Sequence, residues 1–587
     1  VSAQPDLDIP SGQAPPDDAH WEVRAHIGAV SRALGAFLLY SVITAAFFRG
    51  WLPHLGSQLI GPPEDNMQDF WNSWYVAFAP HPHGFFYTEL LRFPEGTSLV
   101  YQSFAYPQVA AIALLVKLLG LGPGALMPLQ NISLLLSFPL AGVGAFYLVR
   151  HFVRGSVGAL AGGFVFAFNP SHVEQAMHHA HVSQIEFIPF FVLTYLLTLE
   201  RRRVALLVVT VVLFALCALS CWYYLFYCGY FVAFHTVYVA VRDRQMPRGW
   251  QLATPLVVSC GVVVLLAPWL VPMVMQGLRN SAVYPWGSNT YVADLFAFSA
   301  FPPFHLLGAF AKPVYDRLYR SYTNEWESVV YLGVASMVLL AWWILNRRQQ
   351  DRRLAIYVVS GMTLFCVLAM GNSLHVLGRS TLPMPDIVLA HVPFFKNVRT
   401  PSRAIVFVYL FMSIGVARAI ARLAVDEGVH RGAQRILVVG GVCALLALDF
   451  FPARRLPTTP YVCSPGLAVI RDDPERGFGV LDLPSGKPAD LLASSFYMFQ
   501  ATCYGRPIAQ GNTSRNMVVS LRDRLETADL QAQRQQLTTA KIKYIVLNHA
   551  PMSIPRTWDP QDGDEPGYAR SYVTVYAGRD VTVLRVY

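Results

Sequence analysis

The chain has 587 residues, which at roughly 150 residues each would make about four soluble domains. Composition excludes that. Hydrophobic residues are 54% of the chain and charged residues 14%, with a mean hydropathy of +0.39, whereas soluble domains carry about 25% charge. Aromatics at 13% and eight cysteines exclude a disordered chain and a disulfide scaffold. What remains is a polytopic membrane protein. Its net charge of +9 then asks which loops hold the arginines, and is no sign of nucleic-acid binding.

Residues 1–30 open on a polar, Pro- and Asp-rich stretch without a signal peptide and are expected to form a disordered cytoplasmic tail. Membrane spans need about 20 apolar residues. The expected spans are 33–50, 127–149, 156–170, 186–199, 204–220, 222–241, 251–275, 329–346, 354–371, 403–424 and 435–451. A twelfth apolar stretch, 105–121, holds Lys117 and is flanked by Pro107 and a glycine run. Arginine placement decides its status. If it lies flat at the outer interface, sixteen arginines face the cytoplasm: Arg150, Arg154, Arg201, Arg202, Arg203, Arg242, Arg244, Arg248, Arg347, Arg348, Arg352, Arg353, Arg418, Arg422, Arg431 and Arg435. The opposite loops hold about ten Lys or Arg in roughly 180 residues, as the positive-inside bias requires. Eleven spans follow, with the N-terminus inside and the long segments 51–126, 171–185, 276–328 and 372–402 outside. Long loops on one face of a rigid scaffold are where chemistry usually sits.

After Phe451 the composition changes to that of a soluble α/β module, residues 452–587, placed outside the membrane. Strands are expected at 479–484, 542–547, 572–576 and 581–586, the last two as a hairpin, with a charged helix over 520–537. The fold class is therefore an all-α polytopic membrane domain, residues 31–451, plus a C-terminal extracytoplasmic α/β domain. Cys463 and Cys503 are the cysteines outside the bilayer, and a disulfide between them is left open. The other six read as packing residues.

Candidate functional residues lie in the outer segments. The first outer loop carries Glu64, Asp65 and Asp69 just beyond the first span, with Gln68, Trp71 and Trp74 among them. Asp65 and Asp69, four apart, share a face if the segment is helical. A carboxylate there could deprotonate a hydroxyl or bind a sugar; it could also simply cap a helix, with the tryptophans in the interfacial belt. The second outer loop holds four histidines, of which His178 and His181 are three apart and share a helix face. Their spacing matches no zinc pattern, so a polar pocket is the alternative to a metal site. Tyr223 and Tyr224 sit at an outer turn, where they could anchor at the interface or stack on a sugar. Glu327 precedes a span, as acids at a helix start do, or serves a ligand. Lys396, Arg399 and Arg403 lie on the outer side, where topology does not call for cations. A lipid-linked phosphate would account for them, through bidentate guanidinium bonds, as would phospholipid headgroups.

Asp65-x-x-Gln68-x-x-Trp71, the stretch from Phe93 to Leu99, the flat helix 105–121, the His-rich loop and the pair Arg399 and Arg403 together resemble bacterial membrane glycosyltransferases of the GT-C superfamily. The resemblance spans roughly residues 33–450. It implies a polyprenyl-phosphate-linked sugar donor, a glycan or lipid acceptor outside a bacterial inner membrane, and an inverting transfer. It also implies an acid of the first outer loop as base, here Asp65 with Asp69 as second choice, and Arg399 or Arg403 on the leaving phosphate. Glu64, Gln68, Trp71, His178, His181, Tyr223, Tyr224, Glu327 and Lys396 would line the substrate. The tail lacks the Trp-Trp-Asp triplet of oligosaccharyltransferases. The first loop has no compact Asp-x-Asp, so no metal cofactor is expected. Two other classes stay open: a non-catalytic protein of envelope-polysaccharide assembly, and a lipid or sugar transporter. Transporters tend to show repeated halves and intramembrane charges, which this sequence does not.

Overall fold

The computed structural model describes residues 18–279, 290–321, 326–389, 391, 398–425, 432–461, 463–484, 491–515, 520–549 and 565–587. Lys396 and most of the expected cytoplasmic tail lie outside the described residues.

The membrane part begins with α1 (Asp18–Phe47), followed by β1 (Gln58–Ile60), α2 (Asp65–Phe78), β2 (Tyr87–Thr88), β3 (Thr97–Ser98) and α3 (Tyr106–Leu119). It continues through α4 (Leu126–Phe152), α5 (Ser156–Ala167), α6 (Pro170–His178), α7 (Phe187–Arg201), α8 (Val204–Ser220) and α9 (Trp222–Asp243). Then come α10 (Trp250–Leu265), α11 (Ala267–Arg279), α12 (Gly308–Ser321), α13 (Val334–Leu345) and α14 (Arg352–Ala369). The hairpin β4 (Ser373–Val376) with β5 (Arg379–Pro383), the short α15 (Asp386–Leu389), α16 (Ile405–Val425) and α17 (Gly432–Phe450) complete it.

Among the described residues, five helices are long and apolar enough to cross a bilayer, or six if α10 and α11 count as one span. The expectation of eleven therefore meets several shorter helices. The 12 residues of α5 rise about 18 Å, short of the roughly 30 Å of hydrocarbon. This helix is instead buried inside the bundle, between α4 and α16. Gly158 and Gly162 make that packing close: a Cβ at Gly158 would stand 2.5 Å from the Ala417 carbonyl oxygen, and one at Gly162 2.8 Å from that of Ser413. The expected span 251–275 is two helices bent by 74°, because Pro268 has no N–H for the backbone ladder and clashes with the preceding turn. After the bend, α11 runs beneath the first outer loop, where Tyr101 Oη donates to the Met273 carbonyl at 2.5 Å and Ser98 Oγ to Gln276 at 2.9 Å. The helix α3 packs on α2 and leaves Leu114, Leu115, Leu118 and Leu119 exposed, an apolar face of the kind a bilayer covers.

The tail holds β6 (Thr458–Pro460), α18 (Ala468–Arg471), β7 (Gly479–Leu483), α19 (Leu491–Ala501), α20 (Leu530–Thr539), β8 (Ile542–Asn548), α21 (Glu565–Ser571), β9 (Val573–Ala577) and β10 (Val581–Arg585). Its sheet runs β7-β8-β10-β9, with β7 parallel to β8 and the other pairs antiparallel. The expected helix over 520–537 starts late. Asp529 caps it by accepting from the amides of Gln531 and Ala532, and only a 3-10 turn, Leu521–Arg524, precedes it. Cys463 and Cys503 form a disulfide.

This tail does not stand apart from the first outer loop. One apolar core joins Phe70, Trp71, Tyr75 and Leu91 to Ile470, Phe478, Val480, Tyr497, Val546 and Val583. Phe93 enters a second core with Leu481, Leu483 and Ile542. Strand β1, just after α1, pairs antiparallel with β6, just after α17.

Candidate functional site

The site is built where the start of α2 meets the end of α6. Gly61 turns the chain at φ +98°, and it must be glycine for a second reason: a Cβ there would lie 1.9 Å from the Met177 carbonyl oxygen. Asn66 fixes the approach, accepting from the Ala180 amide at 3.1 Å and donating to the Ile60 carbonyl at 2.7 Å and to that of Met177.

Three acid–histidine pairs follow side by side. His178 Nδ1 stands 2.6 Å from Glu64 Oε2, His179 Nε2 3.3 Å from Asp65 Oδ2, and His181 Nδ1 3.2 Å from Asp69 Oδ2. The pairing works because α6 ends at His178, so the next three residues leave the helical period and point in separate directions. His178 is also 3.3 Å from Glu174 on its own helix. Burial alone would lower its pKa, but the hydrogen bonds and charges of Glu174 and Glu64 raise it to about 10, which keeps it cationic. His172 belongs to the core instead. It stacks on Phe138 at 3.9 Å between centroids, and burial draws its pKa down to about 4 despite hydrogen bonds to the carbonyls of Ala167 and Ser183.

From His179 the network crosses to the arginines. Its Nε2 is 3.8 Å from Glu327 Oε1, and Glu327 holds Arg403 through both Nε and Nη2. The Glu327 carboxylate is 3% exposed and also accepts from Gln175 at 3.3 Å. Burial opposes its ionisation; the charges of Arg403, His179 and Arg399 and the Arg403 hydrogen bond outweigh that and hold it below the usual carboxylate range. Asp65 follows the same pattern. Burial pushes it up, while the His179 hydrogen bond and the charges of His179, His181 and Arg399 bring it below the usual range. With 39% of its side chain exposed, Asp65 is the acid of this group that a ligand can reach most readily; Asp69, at 9%, is more enclosed. Asp65, His179, Glu327 and Arg403 thus form one continuous line of polar contacts, and the charge of Arg399 acts on both acids.

Other expected residues serve different ends. Trp71 does not sit in an interfacial belt or meet a ligand: it is buried and stacked on Tyr75, 5.1 Å between centroids, in the core shared with the tail. Gln68 turns to the tail and donates to the Asn512 carbonyl at 3.0 Å. Tyr224 is buried with its hydroxyl on the Val182 carbonyl, which leaves no face for a sugar. Tyr223 lies beneath the Arg403 guanidinium, 4.9 Å from ring centroid to Cζ, with its hydroxyl 3.2 Å from Thr400 Oγ1. Arg403 therefore has little of its fork left for a bidentate phosphate. Sequence reasoning passed over His179, the residue that links Asp65 to Glu327, because it looked for helix-face spacing where the helix had ended. Among the described residues, no group of three or more His, Cys, Asp or Glu is arranged to hold a metal ion.

Solved structures share this architecture. An arabinofuranosyltransferase, AftD from Mycobacteria, matches with a TM-score of 0.55 at 14% identity, covering 94% of this chain and 41% of that one. The archaeal oligosaccharyltransferase AglB from Archaeoglobus fulgidus matches in its apo form with a TM-score of 0.52 at 12% identity, covering 88% of this chain and 69% of that one. The same enzyme, in complex with an inhibitory peptide and a dolichol-phosphate, matches with a TM-score of 0.50 at 11% identity, covering 92% and 72%. At these identities the likeness shows a common fold. This chain spans less than half the length of AftD. No curated protein matches the sequence. A family model described as "Domain of unknown function (DUF6311)" matches residues 34–450, most of the chain, and the protein belongs to that family.

Proposed function

We propose that this chain is a membrane glycosyltransferase. It moves a sugar from a polyprenyl-phosphate donor to a hydroxyl of a glycan or lipid acceptor on the outer side of a bacterial inner membrane, with inversion at the anomeric carbon. One observation carries the reading: Asp65, a carboxylate with 39% of its side chain exposed, is joined through His179 to the Glu327–Arg403 pair and lies near enough to Arg399 for that charge to help hold it below the usual range. The fold supports it, since AglB shares that fold and was solved with a dolichol-phosphate.

In this reaction the acceptor oxygen attacks the anomeric carbon, and the bond from that carbon to the phosphate oxygen breaks. Asp65 takes the hydroxyl proton. A carboxylate held low stays ionised at neutral pH and takes the proton as the new bond forms, when the attacking oxygen becomes acidic. The departing polyprenyl phosphate keeps the electron pair, and Arg399 meets its charge, while Arg403 stays bound to Glu327. No metal is built into this reading.

Transfer from labelled polyprenyl-phosphate sugars by the purified protein tests it. Asp65→Asn should lower the rate about 10²- to 10⁴-fold with folding intact. Unchanged transfer would remove Asp65 from the chemistry.

A further inference from the structure

Gln175 lies one helical turn before His179 and holds it twice. Its backbone carbonyl accepts from the His179 amide at 2.8 Å, and its side-chain Oε1 stands 2.8 Å from His179 Nδ1. The other end of the same side chain, Nε2, stands 3.3 Å from Glu327 Oε2. This amide is buried, with an imidazole on one side and a carboxylate on the other.

Hydrogen-bond accounting settles which way round the amide and the ring must sit. Glu327 is ionised: it accepts from Arg403 through Nε and Nη2 and is held below the usual carboxylate range. An ionised carboxylate only accepts, so the part of Gln175 that faces it is the NH2 group. The amide oxygen is then turned to His179. It too only accepts, so His179 Nδ1 carries a hydrogen. Nε2 is the nitrogen left to meet Asp65 Oδ2, 3.3 Å away. Without an acceptor at Nδ1, a lone ring hydrogen is free to sit on either nitrogen and the ring is free to turn about Cβ–Cγ. An amide fixes the ring without titrating and without placing another charge between two carboxylates.

We infer that Gln175 is a positioning residue for the base: it fixes the His179 ring so that Nε2, rather than Nδ1, meets Asp65. Its part in transfer rests on the reading of Asp65 as base; its hold on Asp65 is measurable without turnover.

Gln175→Leu, similar in size, removes both side-chain bonds and changes no charge. The other charged or titratable groups around Asp65 and His179 are His181 with its partner Asp69, Glu327 with Arg403, Arg399 and Tyr291, and the substitution leaves all of them in place. A change at Asp65 then reports on how the ring is held. Infrared difference spectra of the full-length protein in nanodiscs are taken across pH, with the Asp65 carboxyl band identified by its loss in Asp65→Asn. The protonation midpoint of that band should rise by about one pH unit in Gln175→Leu, the worth of loosening one hydrogen bond to a charged group. His179→Ala should raise it at least as far, and the double variant no further than His179→Ala, because Gln175 acts through the ring. The acidic limb of transfer should move up by the same amount. A merely structural Gln175 would lower the thermal midpoint and leave the band where it is. An unmoved band in Gln175→Leu, or shifts that add in the double variant, overturns the assignment. If Gln175→Leu does not fold, the wild type decides. Nitrogen-15 spectra of labelled histidine, with His179 identified by its loss in His179→Gln, should show Nδ1 protonated across the pH range; a bare Nδ1 overturns the assignment. A band that shifts as expected, in a protein that transfers nothing from labelled donors, keeps Gln175 in this role and refutes the reaction.

Discussion

His179 stands between Asp65 and Glu327, its Nε2 3.3 Å from one carboxylate and 3.8 Å from the other. One imidazole thereby couples the reachable acid to the buried ion pair behind it. His179→Ala removes a hydrogen bond and a charge that hold Asp65 low, so the Asp65 pKa should rise. Transfer needs the ionised acid and fails as pH falls through that pKa. The acidic limb of the pH–rate profile should therefore move to higher pH in His179→Ala. An unmoved limb would mean that His179 does not set the ionisation of the base.

The Glu327–Arg403 pair is nearly fully enclosed, with side chains 3% and 8% exposed. Glu327→Ala leaves a buried guanidinium without its carboxylate and should cost about 3–5 kcal/mol, read as a fall in thermal midpoint in detergent. Replacing both with apolar residues of similar volume should restore most of that stability without restoring transfer. If the single and double variants melt alike, the pair is not what holds this region.

His178 gives a pH signature of opposite sign. Its folded pKa, about 10, lies above the ordinary 6.5, so its contribution is full below pH 6.5 and is lost as pH rises through about 10. The thermal midpoint of the wild type should fall across this window more steeply than that of His178→Gln. Parallel curves would show that the clip to Glu64 and Glu174 carries no net stability.

Closing a loop across the 40-residue separation of Cys463 and Cys503 is worth about 4 kcal/mol at most in the chain-entropy account. Cys503→Ser should lower the melting point of the tail and, because the cores are shared, that of the first outer loop with it. Protection of α2 amides against hydrogen exchange is the measurement; loss confined to residues after 452 would contradict a common core.

Sidedness is checked by cysteine labelling in a background without the exposed Cys260. Gly122→Cys, just after α3, should react with an impermeant reagent from outside, and Arg154→Cys, between α4 and α5, should not. The reverse pattern would turn Asp65 and its partners to the cytoplasm.

Much of this was legible in the residues. Apolar runs located many of the membrane helices, short runs of strand-forming residues located β7 and β8, and the β9–β10 hairpin was legible too, because these patterns are local. Asp65, Asp69, Glu327 and Arg403 stood out as charges in the segments expected outside, though the acids could equally have served as helix caps. What sequence spacing could not give was anything set by a distant partner. Trp71 reads as an interfacial anchor until the tail, some 400 residues away, joins the core that holds it. His179 reads as one of a cluster until the end of α6 turns it toward Asp65. Pro268 was visible, yet a hydropathy window averages across it, so the 74° bend passed as one span.

The joining of β1 to β6 has a consequence for how the molecule is made. Gln68 and Arg92 leave the ribosome early, but the carbonyls they bond, on Asn512 and Gly511, are translated hundreds of residues later. Contacts of such sequence separation are slow to form. The first loop must therefore wait, its aromatic face uncovered, until the tail has been made. A nascent chain arrested after α17 would display that face, and would be a natural client for a chaperone on the same side of the membrane.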